Sequence, residues 1–135
     1  MKCPLISPKV FYLITLFLFL FSGASAQYDA ALRLTTIATS PVKYGTSVPF
    51  NITIFNQSST QAITNVKVVV YLGTALTYDN TINAIWTPEG SIANAYVTTI
   101  STQIDPLSST LIAINVKPQP FYNNVNAWNV AAEIY

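Results

Sequence analysis

Residues 48–55 read VPFNITIF, and the architecture of the chain follows from this stretch. Apolar side chains occur at Val48, Phe50, Ile52 and Ile54, and they alternate with Pro49, Asn51 and Thr53. A period of two is the period of a β-strand, because successive side chains point to opposite faces of a sheet. Pro49 has no amide hydrogen to donate, so it is expected at the start of this strand or at a sheet edge.

The same alternation recurs along the chain on both sides of this stretch. Further runs with strand character span 30–35, 66–72, 76–78, 84–86, 96–100, 111–116 and 128–134. Turn-forming residues separate these runs at intervals of roughly 8–12 residues, which is typical of a β-sandwich. The pattern predicts an all-β fold with about seven antiparallel strands in one domain, residues 27–135. No stretch after Phe21 shows a helical period.

The first 26 residues have the three-part organisation of a secretory signal peptide. Lys2 and Lys9 make the start positive, and an apolar run follows over 10–21. Ala24-Ser25-Ala26 supplies the small residues that signal peptidase requires, so cleavage is predicted between Ala26 and Gln27. A membrane anchor is the alternative, but a spanning helix needs about 20 apolar residues and this run is shorter. We therefore predict a secreted or cell-surface protein with no membrane span after cleavage.

The composition argues against nucleic acid as a partner and against disulfides. Charged residues make up 8% of the chain and the formal net charge is +1, so no basic surface for nucleic acid is expected. The chain has a single cysteine, Cys3, which lies in the predicted signal peptide. The mature domain therefore has no disulfide to stabilise it.

The sequence shows no catalytic or metal-binding constellation. There is no histidine, which removes the most common general base and metal ligand. A glycosidase needs two carboxylates that face each other across a sugar, and the nearest pair here is Asp79 and Glu89, on either side of Trp86. Asp79-Asn80 alone is too small a cluster for calcium. The sequence predicts no enzyme activity, no cofactor and no metal.

Aromatic residues are the one hint of ligand binding. Trp86, Tyr78 and Tyr96, with Tyr122 and Trp128, could form a face on which sugars stack. The competing interpretation is packing in the core or at its edge, and Trp128 is in phase with the apolar positions that follow it. We favour packing, and keep a carbohydrate-binding module built around Trp86 as the alternative function.

Two triplets match the acceptor pattern for N-glycosylation. They begin at Asn51 and Asn56. Such triplets arise by chance in a chain rich in asparagine and threonine, so we do not interpret them as modification sites.

Four segments resemble the conserved-repeat domain of bacterial surface proteins, known as domain of unknown function eleven. They are YDAALRL at 28–34, GTSVPFNITIFNQ at 45–57, ITNVKV at 63–68 and NVAAEI at 129–134. The chain departs from the family at Pro106-Leu107-Ser108, where a glycine is usual, and over 79–95.

The resemblance implies an immunoglobulin-like sandwich that often occurs in tandem copies on exported or cell-surface bacterial proteins. It implies a structural or adhesive role without catalytic residues. The expected partners are neighbouring domains of the same longer chain, and surface glycans or proteins. Since the alternation of the last strand is still running at Tyr135, we also expect the domain to be truncated at its C-terminus and the natural chain to continue.

Overall fold

The computed structural model describes residues 29–36, 42–82, 84–120 and 129–135. The predicted signal peptide, Tyr122 and Trp128 lie outside the described residues. The described part contains eight strands and no helix. They are β1 (Ala30–Thr36), β2 (Val48–Asn56), β3 (Val66–Leu72), β4 (Leu76–Tyr78), β5 (Thr87–Pro88), β6 (Ala95–Ile100), β7 (Ser109–Pro118) and β8 (Val130–Ile134).

The strands form two four-stranded antiparallel sheets. Sheet A has the order β1-β2-β7-β4 and sheet B has the order β5-β6-β3-β8. Every strand pair is antiparallel. The predicted all-β sandwich architecture is therefore confirmed.

The core lies between the inner faces of the two sheets, where the predicted alternation places it. The central strands β2, β7 and β3 contribute aliphatic side chains that have no exposed surface. These are Ile52, Ile54, Ile114, Val116, Val68 and Val70. Burying one such side chain stabilises the fold by roughly 1.5–3 kcal/mol, so the alternation of these strands supplies much of the driving force for folding.

Pro49 lies at the start of β2, as its missing amide hydrogen requires. Residues 51, 53 and 55 direct their backbone groups to β1, so the nitrogen of Pro49 faces the same side. The last residue of β1, Thr36, pairs with Phe50, and the β1 ladder therefore ends before Pro49. No ladder hydrogen bond of the described strands is lost to the proline.

The strand predicted at 84–86 is wrong. Ala84 and Ile85 form a turn, and the short strand β5 begins only at Thr87. The Trp86 side chain is 3% exposed and donates from Nε1 to the carbonyl of Ala113 at 2.8 Å. The burial of this indole in the core therefore determines the backbone conformation here, and it overrides the local alternation that predicted a strand.

A buried asparagine links the C-terminal end of β2 to two neighbouring segments by hydrogen bonds. The side-chain nitrogen of Asn56 donates to the carbonyls of Gln61, at 2.7 Å, and Ile104, at 3.0 Å. Its side-chain oxygen accepts the amide of Ser58 at 3.0 Å. The side chain thus joins β2 to the following loop and to the segment before β7.

Candidate functional site

Trp86, the centre of the alternative sugar-binding face, is part of the core. Its ring packs with the buried residues between the sheets, and the hydrogen bond to Ala113 uses its only polar atom. Sugar stacking requires an exposed ring face. Trp86 presents none in this structure.

Tyr78 and Tyr96 come together across the two sheets. Tyr78 lies on β4 of sheet A and Tyr96 on β6 of sheet B, and their ring centroids are 4.9 Å apart with the planes tilted by 49°. Both are half-buried and pack against the core. Of the three predicted stacking residues, the structure therefore pairs two and buries the third. Because the two paired rings are tilted, they do not form a flat platform.

Asp79 is buried and held in an ion pair. Its carboxylate lies 3.0 Å from the Lys117 ammonium, and the Thr81 hydroxyl donates to it at 2.7 Å. The hydrogen bond from Thr81, followed by the one from Lys117, holds the pKa of Asp79 well below its usual range. A general acid needs a raised pKa, so this carboxylate is suited to joining β4 to β7 rather than to proton transfer.

Glu89 closes the turn between β5 and β6. Its carboxylate accepts the Ser91 hydroxyl, the Ser91 amide at 3.0 Å and the Ile92 amide at 3.1 Å. The Ser91 hydroxyl, followed by its amide, lowers the pKa of Glu89. The carboxylates of Asp79 and Glu89, the pair noted in the sequence, thus each bind residues that neighbour them in the fold. Neither has the raised pKa of a catalytic acid. In the part of the chain that the structure describes, no three acidic or cysteine side chains form a metal-binding group.

A polar cluster that the sequence did not indicate lies on the outer face of sheet B. The Glu133 carboxylate accepts the hydroxyls of Tyr71, at 3.1 Å, and Tyr135, at 2.6 Å. The Lys67 ammonium lies 5.7 Å from the centre of the Tyr135 ring, within the range of a cation–π contact. The hydrogen bond that the Tyr135 hydroxyl donates to Glu133 raises the pKa of Tyr135, and its hydrogen-bonding contact with Tyr71 raises it further. Since Tyr71 and Glu133 are 62 positions apart, only the pairing of β3 with β8 brings them together.

One side of the sandwich, between β1 and β8, is less well covered than the centre. The inward-facing side chains of these two strands are only half-buried, whereas those of β2, β3 and β7 include several with no exposed surface. The six apolar residues concerned are Ala30, Leu32, Leu34, Val130, Ala132 and Ile134. A cavity of about 230 Å³, lined by Ala30, Val66, Ile134 and Tyr135, lies on this side. We call this side, with its two edge strands, the open edge.

The backbone of β8 has hydrogen-bonding groups directed at the open edge. Gly73 donates to the carbonyl of Asn129 at 2.7 Å, and Lys67 and Tyr135 exchange two hydrogen bonds of 3.2 and 2.9 Å. In an antiparallel ladder the direction of the backbone groups alternates, so the odd residues of β8 face β3 and the even residues face away from it. The outward residues are Val130, Ala132 and Ile134, whose side chains also point to the core. No described strand pairs with them on that side.

The other two sheet edges are short. β4 has three residues and β5 has two, and the second residue of β5 is Pro88. Trp86 covers part of β7 by its hydrogen bond to Ala113. Short edges and prolines are devices that prevent pairing with other chains. By contrast, β1 has seven residues and β8 has five, so the open edge is the part of the described structure best suited to accept another strand.

Comparison with known proteins assigns no function. No protein-family model and no curated protein that was compared with the chain matches it. Within the described residues, no helix has both the length and the apolar character needed to cross a bilayer. Function is therefore inferred from the fold, the signal-like segment and the open edge.

Proposed function

We propose that this protein is a non-catalytic structural or adhesive module of an exported or cell-surface bacterial protein. The open edge carries the proposal, because it offers edge strands of seven and five residues, the second with outward hydrogen-bonding groups, and half-buried apolar side chains. A strand of another domain or another polypeptide can pair with such an edge. The role of the module is accordingly to join polypeptides, not to transform a substrate.

The strand order supports an immunoglobulin-like sandwich. An immunoglobulin constant domain has the order A-B-E-D in one sheet and strands C, F and G in the other. The order β1-β2-β7-β4 corresponds to A-B-E-D, and β3 beside β8 corresponds to C beside F. The hairpin β5–β6 is an addition on the far side of β3. The open edge of β8 is then the position that strand G occupies in that fold.

The engagement of the acidic side chains supports a structural role. Asp79 joins two strands, Glu89 closes a turn and Glu133 joins β8 to β3 through Tyr71. The low charge fraction of 8% suits an extracellular surface whose polarity comes from hydroxyl and amide side chains. The resemblance to the conserved-repeat domain of bacterial surface proteins points in the same direction. The sugar-binding alternative loses its main support, since Trp86 is buried.

Export and processing test the first part of the proposal. The full chain is expressed in a bacterial host, and the exported protein is expected to begin at Gln27 by N-terminal sequencing. Ala26→Phe should abolish cleavage, because the peptidase pocket admits only small residues there. Ser25→Phe is the matched control and should still be cleaved, since the middle position of the pattern is unrestricted. A protein that retains Met1 or stays in the cytoplasm would contradict the proposal.

A further inference from the structure

We propose that Tyr71 and Tyr135 form an oxidative cross-linking site, at which a peroxidase and hydrogen peroxide join the two rings by a carbon–carbon bond. The Glu133 carboxylate between them accepts the phenolic protons. The product, dityrosine, ties β8 covalently to β3. This inference goes beyond the proposed function and does not depend on it, because it rests on contacts within one folded chain.

The two tyrosine hydroxyls converge on a single atom. Tyr71 and Tyr135 both donate to Oε2 of Glu133, at 3.1 and 2.6 Å. In dityrosine the rings are joined at the carbons next to the hydroxyls, so the two oxygens of the product lie side by side. The fold therefore already holds the hydroxyl ends of the two rings together, and such placement accelerates a reaction between them.

The strands hold both tyrosines in this arrangement. Tyr71 lies opposite Ala131 in the β3–β8 ladder, and the small alanine side chain leaves room for the Tyr71 ring beside Glu133. Tyr135 exchanges two backbone hydrogen bonds with Lys67, and the Lys67 ammonium lies 5.7 Å from the centre of its ring. The pairing of β3 with β8 thus orients two rings that are far apart in sequence.

Glu133 supplies the base that the oxidation of a tyrosine needs. A phenol that loses an electron becomes strongly acidic and must release its proton, and a hydrogen-bonded carboxylate accepts that proton as a general base. The hydrogen bond to Glu133 raises the pKa of Tyr135, so its hydroxyl stays protonated until the electron leaves. Because Glu133 is exposed, it returns each proton to water and can serve both hydroxyls in turn.

The reaction balances with one hydrogen peroxide per cross-link. Each phenol loses one electron to the peroxidase and one proton to Glu133, which leaves two neutral tyrosyl radicals. These couple between their ortho carbons; the two ring hydrogens then leave as protons and two protons return to the oxygens, which restores both hydroxyls and both aromatic rings. The two electrons and two protons released overall reduce hydrogen peroxide to two molecules of water.

A cross-link at this point would give the domain a covalent tie that its cysteine content does not provide. The only cysteine is Cys3, in the predicted signal peptide. In the described structure β8 is hydrogen-bonded to β3 alone. Joining residues so distant in sequence restricts the unfolded chain, as a disulfide does, so the equilibrium constant of unfolding should fall at least about tenfold on oxidation.

Peroxidase treatment of the purified full chain tests the site. Dilute protein is oxidised with peroxidase and hydrogen peroxide, the monomer is isolated under denaturing conditions, and peptide mapping by mass spectrometry locates any link that accompanies the loss of two hydrogens. Wild type is expected to link Tyr71 to Tyr135, and protein unfolded in urea should show no preference for this pair. Export plays no part in the measurement, so its outcome is separate from that of the proposed function.

Two isosteric variants test the role of Glu133. Glu133→Gln keeps the size of the side chain and a hydrogen-bond acceptor but removes the base, so it should slow formation of the link at least roughly tenfold. Asp105→Asn is the matched control, because it neutralises an exposed carboxylate between β6 and β7, and should leave the rate unchanged. Tyr135→Phe should abolish the link, whereas Tyr44→Phe, which removes another exposed phenol, should not.

Three results would overturn the proposal. The first is a wild-type monomer in which peroxidase forms no link between Tyr71 and Tyr135. The second is a preferred link at the other tyrosine contact, Tyr78 with Tyr96, whose ring centroids are 4.9 Å apart. The third is a Glu133→Gln protein that unfolds cooperatively in urea, as wild type does, and forms the link at the wild-type rate.

Discussion

Leu107 holds a backbone conformation that is unfavourable for its side chain. Its φ is +55°, in the left-handed region, where a residue other than glycine raises the conformational energy by roughly 1–2 kcal/mol. The residue is the third of the turn Asp105–Ser108, whose ends are joined by a hydrogen bond of 3.1 Å. With Pro106 at the second position, a turn of this kind usually has glycine at the third.

Leu107→Gly should therefore stabilise the protein. We expect a gain of about 0.5–1 kcal/mol in the free energy of unfolding, since the relief of strain exceeds the added flexibility of the unfolded chain. The Leu107 side chain is 73% exposed, so little packing is lost. Urea denaturation measures the change. Leu111→Gly, at an exposed position within β7, is the matched control and should be destabilising; equal effects of the two variants would contradict the assignment of strain to Leu107.

Asn56 is a buried polar residue whose side chain holds three backbone groups. It is 2% exposed, and the carbonyls of Gln61 and Ile104 and the amide of Ser58 are its partners. The same burial makes the glycosylation pattern at this residue incompatible with the folded domain.

Asn56→Ala should lower the free energy of unfolding by about 2–4 kcal/mol, because it leaves buried backbone groups without their partners. Thermal or urea denaturation gives the value. Asn80→Ala, at an exposed turn position, is the control and should change stability by less than about 0.5 kcal/mol. A loss at Asn56 no larger than at Asn80 would show that water replaces the three hydrogen bonds.

At the scale of the elements, the segment from Tyr78 to Ala95 is where local pattern and structure disagree. The apolar residues Ile82, Ile85 and Ile92 are exposed, while Asp79 is buried in an ion pair. Trp86 anchors the segment by filling the core and by its hydrogen bond to β7. Its indole therefore takes the place of a longer edge strand beside β7.

Trp86→Phe tests the anchoring role. The variant keeps an aromatic ring but loses the hydrogen bond to the Ala113 carbonyl and part of the ring volume, so we expect a loss of roughly 1–3 kcal/mol in the free energy of unfolding. Faster hydrogen exchange of amides over 84–97 should accompany it. Unchanged stability would show that the indole fills space without directing the chain.

At the scale of the whole molecule, acid should destabilise the fold. The pKa of Asp79 and that of Glu89 are both lowered by folding, so each carboxylate contributes stability above its unfolded pKa, near pH 4, and that stability is lost as the pH falls further. Melting temperature is expected to be flat near neutral pH and to fall below about pH 4.

Asp79→Asn separates the two contributions. The variant should be less stable than wild type at neutral pH, because Lys117 loses its ion-pair partner, and its melting temperature should fall less steeply below pH 4. Lys117→Met should also reduce the acid dependence, since it removes one of the groups that stabilise the ionised carboxylate. An acid profile identical in all three proteins would mean that Asp79 does not contribute to the pH dependence.

The sequence alone predicted the class of the fold and most of its strands. Alternation along 48–55 and 66–72 is a local property with a period of two. It predicts the strands correctly because each strand buries one face against the opposite sheet. The position of Pro49 followed for the same kind of reason, since a missing amide hydrogen is a property of the residue itself. The absence of histidine likewise narrows the possible chemistry, because composition does not depend on how the chain folds.

The identity of neighbouring strands, and the side of the sandwich that stays open, depend on the tertiary structure. The burial of Trp86, the ion pair of Asp79 with Lys117 and the cluster of Glu133 with Tyr71 all join residues that are distant in sequence. Local alternation distinguishes the two faces of a strand but carries no information on which strand lies at its edge. The outward direction of the backbone groups of Val130, Ala132 and Ile134 is therefore defined only by the position of β8 beside β3 at the end of its sheet.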